Sequence, residues 1–256
     1  MRAFYRLLNY ELGELLRGVL LLCAALIAAS WLLVRNELKH YNSQAVHERF
    51  EDVYRASGMP IVFLLCMLVL LVLWAKSIYS AYWGSKSIYT LLTLPVKRAA
   101  LYWSKLCAFG ISLMLLLSSQ LAGFVLAYRV MDNKIAGYSE GQFEMSNGLF
   151  LAFIRSDFMR LLWSYDPVNL LSTASIVIVI TTGLYYGVIC ERSKRKWGWV
   201  LFPIAIWLMI VVISARLNPV YDYHTLQIVS YSAVLLAISA IFIWHSIHVL
   251  KKGAIA

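Results

Sequence analysis

Six long apolar runs, separated by short polar segments, constrain the fold of this chain more than any other feature. The runs lie at residues 18–34, 60–83, 99–128, 168–190, 197–214 and 225–249. A helix needs about 20 apolar residues to cross the hydrocarbon core of a bilayer. Backbone amides and carbonyls find no water in that core, so such segments must be helical. We therefore expect an all-α membrane protein with six transmembrane helices that forms one domain over residues 1–256.

The composition supports this class. The chain is 61% hydrophobic and only 14% charged, whereas a soluble domain carries about 25% charged residues. The runs use most of the 256 residues, which leaves no room for a second, soluble domain. The four cysteines show no metal-ligand spacing, and each lies inside or at the end of an apolar run, as expected of packing residues: Cys23, Cys66, Cys107 and Cys190.

The basic residues predict the orientation, because Lys and Arg concentrate in cytoplasmic loops. With the amino terminus inside, the cytoplasmic segments hold 14 of the 23 basic residues and three acidic ones, a net charge of +11. The outer segments then have a net charge of −1. The opposite orientation would place the basic cluster at 192–196 outside, so we expect both termini in the cytoplasm. This scattered charge forms no long basic arm and does not indicate nucleic-acid binding.

Residues 1–17 have the spacing of an amphipathic helix. An apolar stripe follows the helical period, with Glu11 and Glu14 expected on the polar side. Such a helix before a span is expected to lie in the membrane interface; the alternative is a simple extension of the first span. The stripe consists of Phe4, Leu7, Leu8, Leu12 and Leu15, and the basic residues are Arg2, Arg6 and Arg17.

Two outer loops are expected to contain helices. Residues 35–59 have helical spacing and predict an ordered cap or a short hairpin of helices. Residues 129–167 form a longer outer loop whose second half, 149–165, predicts one amphipathic helix. A seventh span there is disfavoured, because each central charge would cost about 2.5–3.5 kcal/mol on insertion scales. Those charges belong to Arg155, Asp157 and Arg160.

The basic segment 84–98, with the sequence G-S-K-S-I-Y-T-L-L-T-L-P-V-K-R, links the second and third runs. Ile88, Leu91 and Leu92 share a helical face, and Pro95 cannot continue the helix. We expect a short cytoplasmic helix parallel to the membrane. Periodicity alone leaves open whether its apolar face packs on the chain's own spans or in a groove of a partner.

The runs lack the groups that ion transport and catalysis require. Charged residues are absent from the middle of each run, where ion-coupled transporters need them; Lys105, near a cytoplasmic end, is expected to snorkel. The sequence contains no G-x-x-x-x-G-K-[ST] loop and no intramembrane catalytic motif. The chain is therefore not expected to be an enzyme or to bind ATP by a P-loop of its own.

Residues 89–98, followed by Lys105 and Leu106, resemble the T-x-x-L-L-x-L-P-V-[ST]-R…K-[LI] pattern of ABC type-2 permeases. In that family the pattern lies in the first cytoplasmic loop, between spans two and three, as it does here. The family often has a glutamate shortly before the Thr, where this chain has Ser85, Lys86 and Ser87.

The resemblance implies the transmembrane subunit of an ABC exporter in a bacterial cell membrane. It implies two separate ATPase subunits that carry ATP and Mg, and a second permease chain, identical or related. This chain itself would hold no cofactor or metal. The ATPase would dock, helped by residues 1–17, on a set of residues within the basic segment: Ser85, Lys86, Ile88, Tyr89, Leu91, Leu92, Leu94, Pro95 and Arg98.

The implied cargo is an amphipathic or antimicrobial peptide, because small permeases of this type resemble exporters of phenol-soluble modulins. Lipid-linked glycans and small drugs stay open as cargo. Two other functions also stay open: a membrane immunity or assembly protein that transports nothing, and an ion-coupled secondary transporter.

Overall fold

The structure, a computed structural model, describes residues 2–40, 49–81, 98–136, 148–163, 166–193, 201–217 and 224–251. Within these ranges the elements are helical and no strand occurs, which confirms the all-α prediction. A short 3₁₀ turn, Leu38–His40, follows the first helix. The α-helices of these ranges are α1 Arg2–Glu37, α2 Phe50–Ala56, α3 Met59–Tyr79, α4 Arg98–Ala136, α5 Leu149–Arg155, α6 Asp157–Leu162, α7 Pro167–Arg192, α8 Leu201–Leu217 and α9 His224–Lys251.

Five helices among the described residues are long and apolar enough to cross a membrane. They are α1, α3, α4, α7 and α9, and they correspond to five of the six predicted spans. The sixth predicted span, 197–214, corresponds to α8, which is apolar but has 17 residues. At a rise of about 1.5 Å per residue it is slightly shorter than a typical hydrocarbon core. The count of six spans therefore stays a prediction.

The amino-terminal segment is continuous with the first span. Helix α1 runs unbroken for 36 residues, so a separate interfacial helix over residues 1–17 is not confirmed, and the described backbone matches the alternative of an extended first span. Arg2 begins α1, Phe4 and Leu8 are half-buried, and Arg6 and Arg17 are exposed.

The prediction for Glu11 is wrong in one respect. Instead of lying on the polar side of α1, Glu11 is buried on the same stripe as Leu7 and Leu15. These residues are spaced four apart, which places them on one face of a helix. A carboxylate is tolerated on this face because a buried cation lies beside it, as shown below.

Helix α2 lies within residues 35–59, for which the sequence predicts an ordered cap or a short hairpin of helices. Phe50 and Tyr54 of α2 pack edge-to-face on the ring of Phe124 in α4, with ring centroids 5.0 Å apart in both pairs. Gln120 Nε2 also donates a hydrogen bond of 2.6 Å to the Tyr54 hydroxyl. Burial raises the pKa of the Tyr54 phenol, so this hydrogen-bonded phenol stays protonated.

The single amphipathic helix predicted over 149–165 is instead two short helices. Ser156 separates α5 from α6 with an extended backbone conformation. Its carbonyl oxygen accepts a hydrogen bond from the Arg160 amide at 2.9 Å, and its hydroxyl accepts one from the Met159 amide at 3.4 Å. Ser156 therefore acts as the N-cap of α6. Helices of seven and six residues are too short to cross a membrane, so no seventh span forms here. The loop predicted from residue 129 begins later, because α4 continues to Ala136.

The chain divides into two compact units. Unit 1 comprises Met1–Glu11, Ala75–Ala108 and Trp163–Ala256; unit 2 comprises Leu12–Trp74 and Phe109–Leu162. The single permease domain inferred from the sequence stays a prediction.

The core of unit 1 is built by α7, α8 and α9. The ring of Phe242 stacks on that of Tyr186 with centroids 4.8 Å apart and on that of Phe202 with centroids 5.5 Å apart. The buried members of this cluster are Val179, Tyr186, Cys190, Ala205, Leu208, Val212, Leu235, Ile238 and Phe242.

The core of unit 2 includes the close approach of α1 and α4 at Ser30 and Gly123. It also includes Trp74 against Phe109, with ring centroids 4.7 Å apart. None of the four cysteines forms a disulfide in this structure.

Candidate functional site

The segment predicted to dock an ATPase, residues 85–94, lies outside the described residues; we call it the docking segment. Of the nine residues named as ATPase contacts, the structure describes Arg98 alone. The other eight stay predictions: Ser85, Lys86, Ile88, Tyr89, Leu91, Leu92, Leu94 and Pro95. The structure does describe the helix ends on either side of the segment. Helix α3 ends at Tyr79 and is followed by a π-helical turn at Ser80 and Ala81, and α4 begins at Arg98.

These two helix ends are tied to other helices of unit 1 by a group of polar contacts. We call this group the flanking cluster; it consists of Glu11, Tyr79, Arg98, Lys105, Glu191 and the carbonyl groups of Leu250 and Lys251. All its members belong to unit 1. The cluster lies at the helix ends that the charge distribution predicts to be cytoplasmic.

The first contact ties the end of α3 to the end of α7. The Tyr79 hydroxyl donates a hydrogen bond to the carboxylate of Glu191. Both side chains are exposed. The residue at which α3 ends, just before the docking segment, is thereby joined to a residue one position from the end of α7.

The second contact ties the start of α4 to the end of α9. Arg98 Nη1 donates to the carbonyl oxygen of Leu250 at 2.8 Å and to that of Lys251 at 3.2 Å. The last carbonyls of a helix lack intrahelical partners and carry partial negative charge. The guanidinium thus satisfies two such carbonyl groups. Arg98, which the sequence predicts as an ATPase contact, therefore contacts helix α9 of its own chain in this structure.

The third contact is a buried ion pair between α1 and α4. Lys105 Nζ donates to Glu11 Oε2 at 2.7 Å, and the two side chains are 4% and 3% exposed. The expectation that Lys105 snorkels toward the interface is therefore wrong, because its ammonium group has a carboxylate partner inside the protein. Buried charges are found almost only when paired in this way.

Sequence reasoning missed Glu11 as a member of this site. Its spacing carried a signal, because Glu11 lies four residues after Leu7 and four before Leu15 on the predicted apolar face. A carboxylate at such a position requires a cation from another element. The sequence does not identify which of the cytoplasmic basic residues provides it, since that depends on the packing of α1 against α4.

A family model described as "ABC-2 family transporter protein" matches residues 17–163, more than half of the chain. The chain belongs to the ABC-2 transporter family. No individual curated protein and no solved structure matches it. The match begins within α1 and ends just after α6. It includes the docking segment and the whole of α3 and α4, the helices on either side of that segment.

Family membership establishes the coarse role. The protein is a multi-pass membrane subunit of an ABC transporter, and in this family the permease is not itself the ATPase. ABC-2 permeases generally partner with ABC ATPase subunits.

Proposed function

We propose that this ABC-2 permease is the transmembrane subunit of an ATP-driven exporter of amphipathic peptides, powered by a separate ATPase that docks on residues 85–94. The observation that carries the proposal is the family match across residues 17–163, which includes that segment. Two permease chains and two ATPase subunits would form the complex, in a bacterial cell membrane with both termini in the cytoplasm. ATP and Mg would be held by the ATPase.

The flanking cluster supports the docking role. A short segment can transmit force only if its two ends are anchored to the helices that must move. Here the helix before the segment is joined to α7, and the helix after it is joined to α9 and to α1. A push on the segment would therefore reach three other helices of unit 1.

The apolar, aromatic interior of unit 1 is compatible with a peptide cargo. Unit 1 contains buried aromatic side chains on three helices, including Tyr102 of α4, Tyr185 of α7 and Phe242 of α9. Tyr102 and Tyr185 stack with centroids 4.8 Å apart.

The docking role is tested with the double substitution Leu91→Asp and Leu92→Asp. Two carboxylates on the apolar face should abolish co-purification of the ATPase and reduce permease-stimulated ATP hydrolysis by about tenfold or more. Leu91→Met with Leu92→Met is the matched control and should bind normally, since Met conserves the volume and apolar character of Leu. Normal binding and stimulation by the Asp variant would show that the ATPase docks elsewhere.

The transport role is tested in vesicles that contain both chains. A fluorescent amphipathic helical peptide should accumulate in the lumen of inside-out vesicles when ATP is supplied. ATPase binding without movement of any such peptide would favour an immunity or assembly protein. Movement that follows an ion gradient in the absence of the ATPase would favour a secondary transporter.

A further inference from the structure

The contacts of the flanking cluster differ sharply in their access to water. Glu11 and Lys105 are almost completely buried, whereas the hydrogen bond of Tyr79 to Glu191 is exposed and that of Arg98 to α9 is only partly buried. Exposed polar contacts are weak, because water competes for both partners. The attraction between two unit charges grows as the surroundings become less polar. The same kind of displacement would therefore open the exposed contacts far more readily than the buried pair.

Separation of the buried pair would also leave each charge in an apolar environment. Next to Lys105 on α4, Leu101 and Ala108 are buried, and Leu7 is buried one turn from Glu11 on α1. An isolated charge among such side chains carries a large desolvation penalty. Removal of one partner from a buried ion pair is strongly destabilising for this reason.

The place of Lys105 on α4 gives the pair a role in transport. Helix α4 begins at Arg98, shortly after the docking segment, and Lys105 lies two turns further along the same helix. Any displacement of the segment reaches this part of α4 first. Of the contacts in the flanking cluster, the buried ion pair is the one that such a displacement separates least easily.

We propose that Glu11 and Lys105 form a permanent joint, so that the start of α1 moves with the start of α4 in each transport step. In the same step the contacts of Tyr79 with Glu191 and of Arg98 with the end of α9 open and close. This inference rests on the proposed function. Glu11 and Lys105 are positioning residues in it, because they contact neither cargo nor nucleotide.

The joint is tested by crosslinking in a chain whose four native cysteines are replaced by Ala. Glu11→Cys with Lys105→Cys is linked by a short membrane-permeant bis-methanethiosulfonate, and Tyr79→Cys with Glu191→Cys is the matched pair at an exposed contact. The complex with its ATPase is assayed for ATP-driven movement of the fluorescent amphipathic peptide, before and after linking.

The 11–105 crosslink should leave transport within about twofold of the unlinked chain, whereas the 79–191 crosslink should reduce it by about tenfold or more. A loss of transport on linking 11 to 105 would show that α1 and α4 separate, and would overturn the joint. Full transport after linking 79 to 191 would overturn the opening of the exposed contact.

A second measurement needs no partner protein. Glu11→Gln and Lys105→Gln should each lower the midpoint of thermal unfolding in detergent, and Glu11→Met with Lys105→Met should unfold above either single variant. A single variant that unfolds at the wild-type temperature would remove the basis of the joint. Absence of ATP-driven peptide movement in the complex of the cysteine-free chain, which keeps Glu11 and Lys105, would instead contradict the proposed function, so the two failures are distinguishable.

Discussion

At the scale of single residues, Gly123 is a position of close approach between α1 and α4 in unit 2. A Cβ atom on Gly123 would clash with Ser30 Oγ and would lie 3.1 Å from Ser30 Cβ. Ser30 has little room to yield, because it is fully buried and its hydroxyl donates to the carbonyl oxygen of Leu26 at 2.9 Å. Small residues allow helices to pack this closely in membranes.

Gly123→Ala should therefore destabilise the protein by about 1–3 kcal/mol through overpacking. The matched control is Gly110→Ala on the same helix, where an added Cβ meets no atom within 4 Å; there the higher helix propensity of Ala should add up to about 1 kcal/mol. Thermal unfolding in detergent measures both variants. Ser30→Gly should restore part of the stability lost in Gly123→Ala. Equal midpoints for the two alanine variants would contradict the close approach.

The sequence allowed part of the residue-scale picture to be predicted. It predicted part of the buried stripe of α1, because Leu7 and Leu15 are buried as expected, but it placed Glu11 on the opposite side. It did not pair Glu11 with Lys105, because the two residues lie 94 positions apart. Local periodicity gives the face on which a residue lies but not the residue that faces it.

At the scale of secondary-structure elements, α7, α8 and α9 pack through an aromatic group centred on Phe242. This side chain is fully buried and contacts Tyr186 of α7 and Phe202 of α8. The side of α7 that faces these rings has no side chain at Gly183. A Cβ atom there would lie 3.5 Å from the rings of Phe202 and Phe242, which is ordinary van der Waals contact. The three helices are therefore joined by rings packed against a glycine surface.

Phe242→Ala should cost about 3–5 kcal/mol, because it removes a buried ring and leaves a cavity. Trp244→Ala, two residues further along α9, is the control: its side chain is 68% exposed, so its loss should change the unfolding midpoint little. The comparison is made by thermal unfolding in the same detergent. A larger effect for Trp244→Ala would place the core on the other face of α9.

The positions of the long helices were predicted better than the residues at which these helices begin and end. The apolar runs located the five long helices, because a helix must cover the width of the hydrocarbon core. The runs did not show that α1 begins at Arg2 or that α4 continues to Ala136, since a helix can extend into polar sequence without losing its backbone hydrogen bonds. The break at Ser156 carried a signal that was not used: Ser is a preferred N-cap, and Asp157 follows it in the first turn of α6.

At the scale of the whole molecule, the charge distribution predicts which side of the membrane each loop occupies. A single cysteine at Asn218 should react with a membrane-impermeant thiol reagent on intact cells, whereas one at Lys194 should react only after the cells are opened. Both variants are made in the chain without native cysteines. The reverse pattern of labelling would invert the orientation and place residues 84–98 outside, which would rule out a cytoplasmic ATPase on that segment.

The family was predictable from the sequence because the pattern at residues 89–98 is local, and the family match confirms it. The division into two units was not predictable, because it arises from packing between helices that are distant in sequence. The docking residues other than Arg98 stay predictions, since they lie outside the described ranges.

The unbroken length of α1 has a mechanical consequence. Its 36 residues make a rod of about 54 Å, at about 1.5 Å per residue, in a membrane whose hydrocarbon core is about 30 Å thick. If such a rod pivots about one end, a tilt of only about 10° carries the other end through about 9 Å. A displacement of that size is about the distance between the axes of two packed helices, so in a helix this long a small change of angle is enough to move one end past a neighbouring helix.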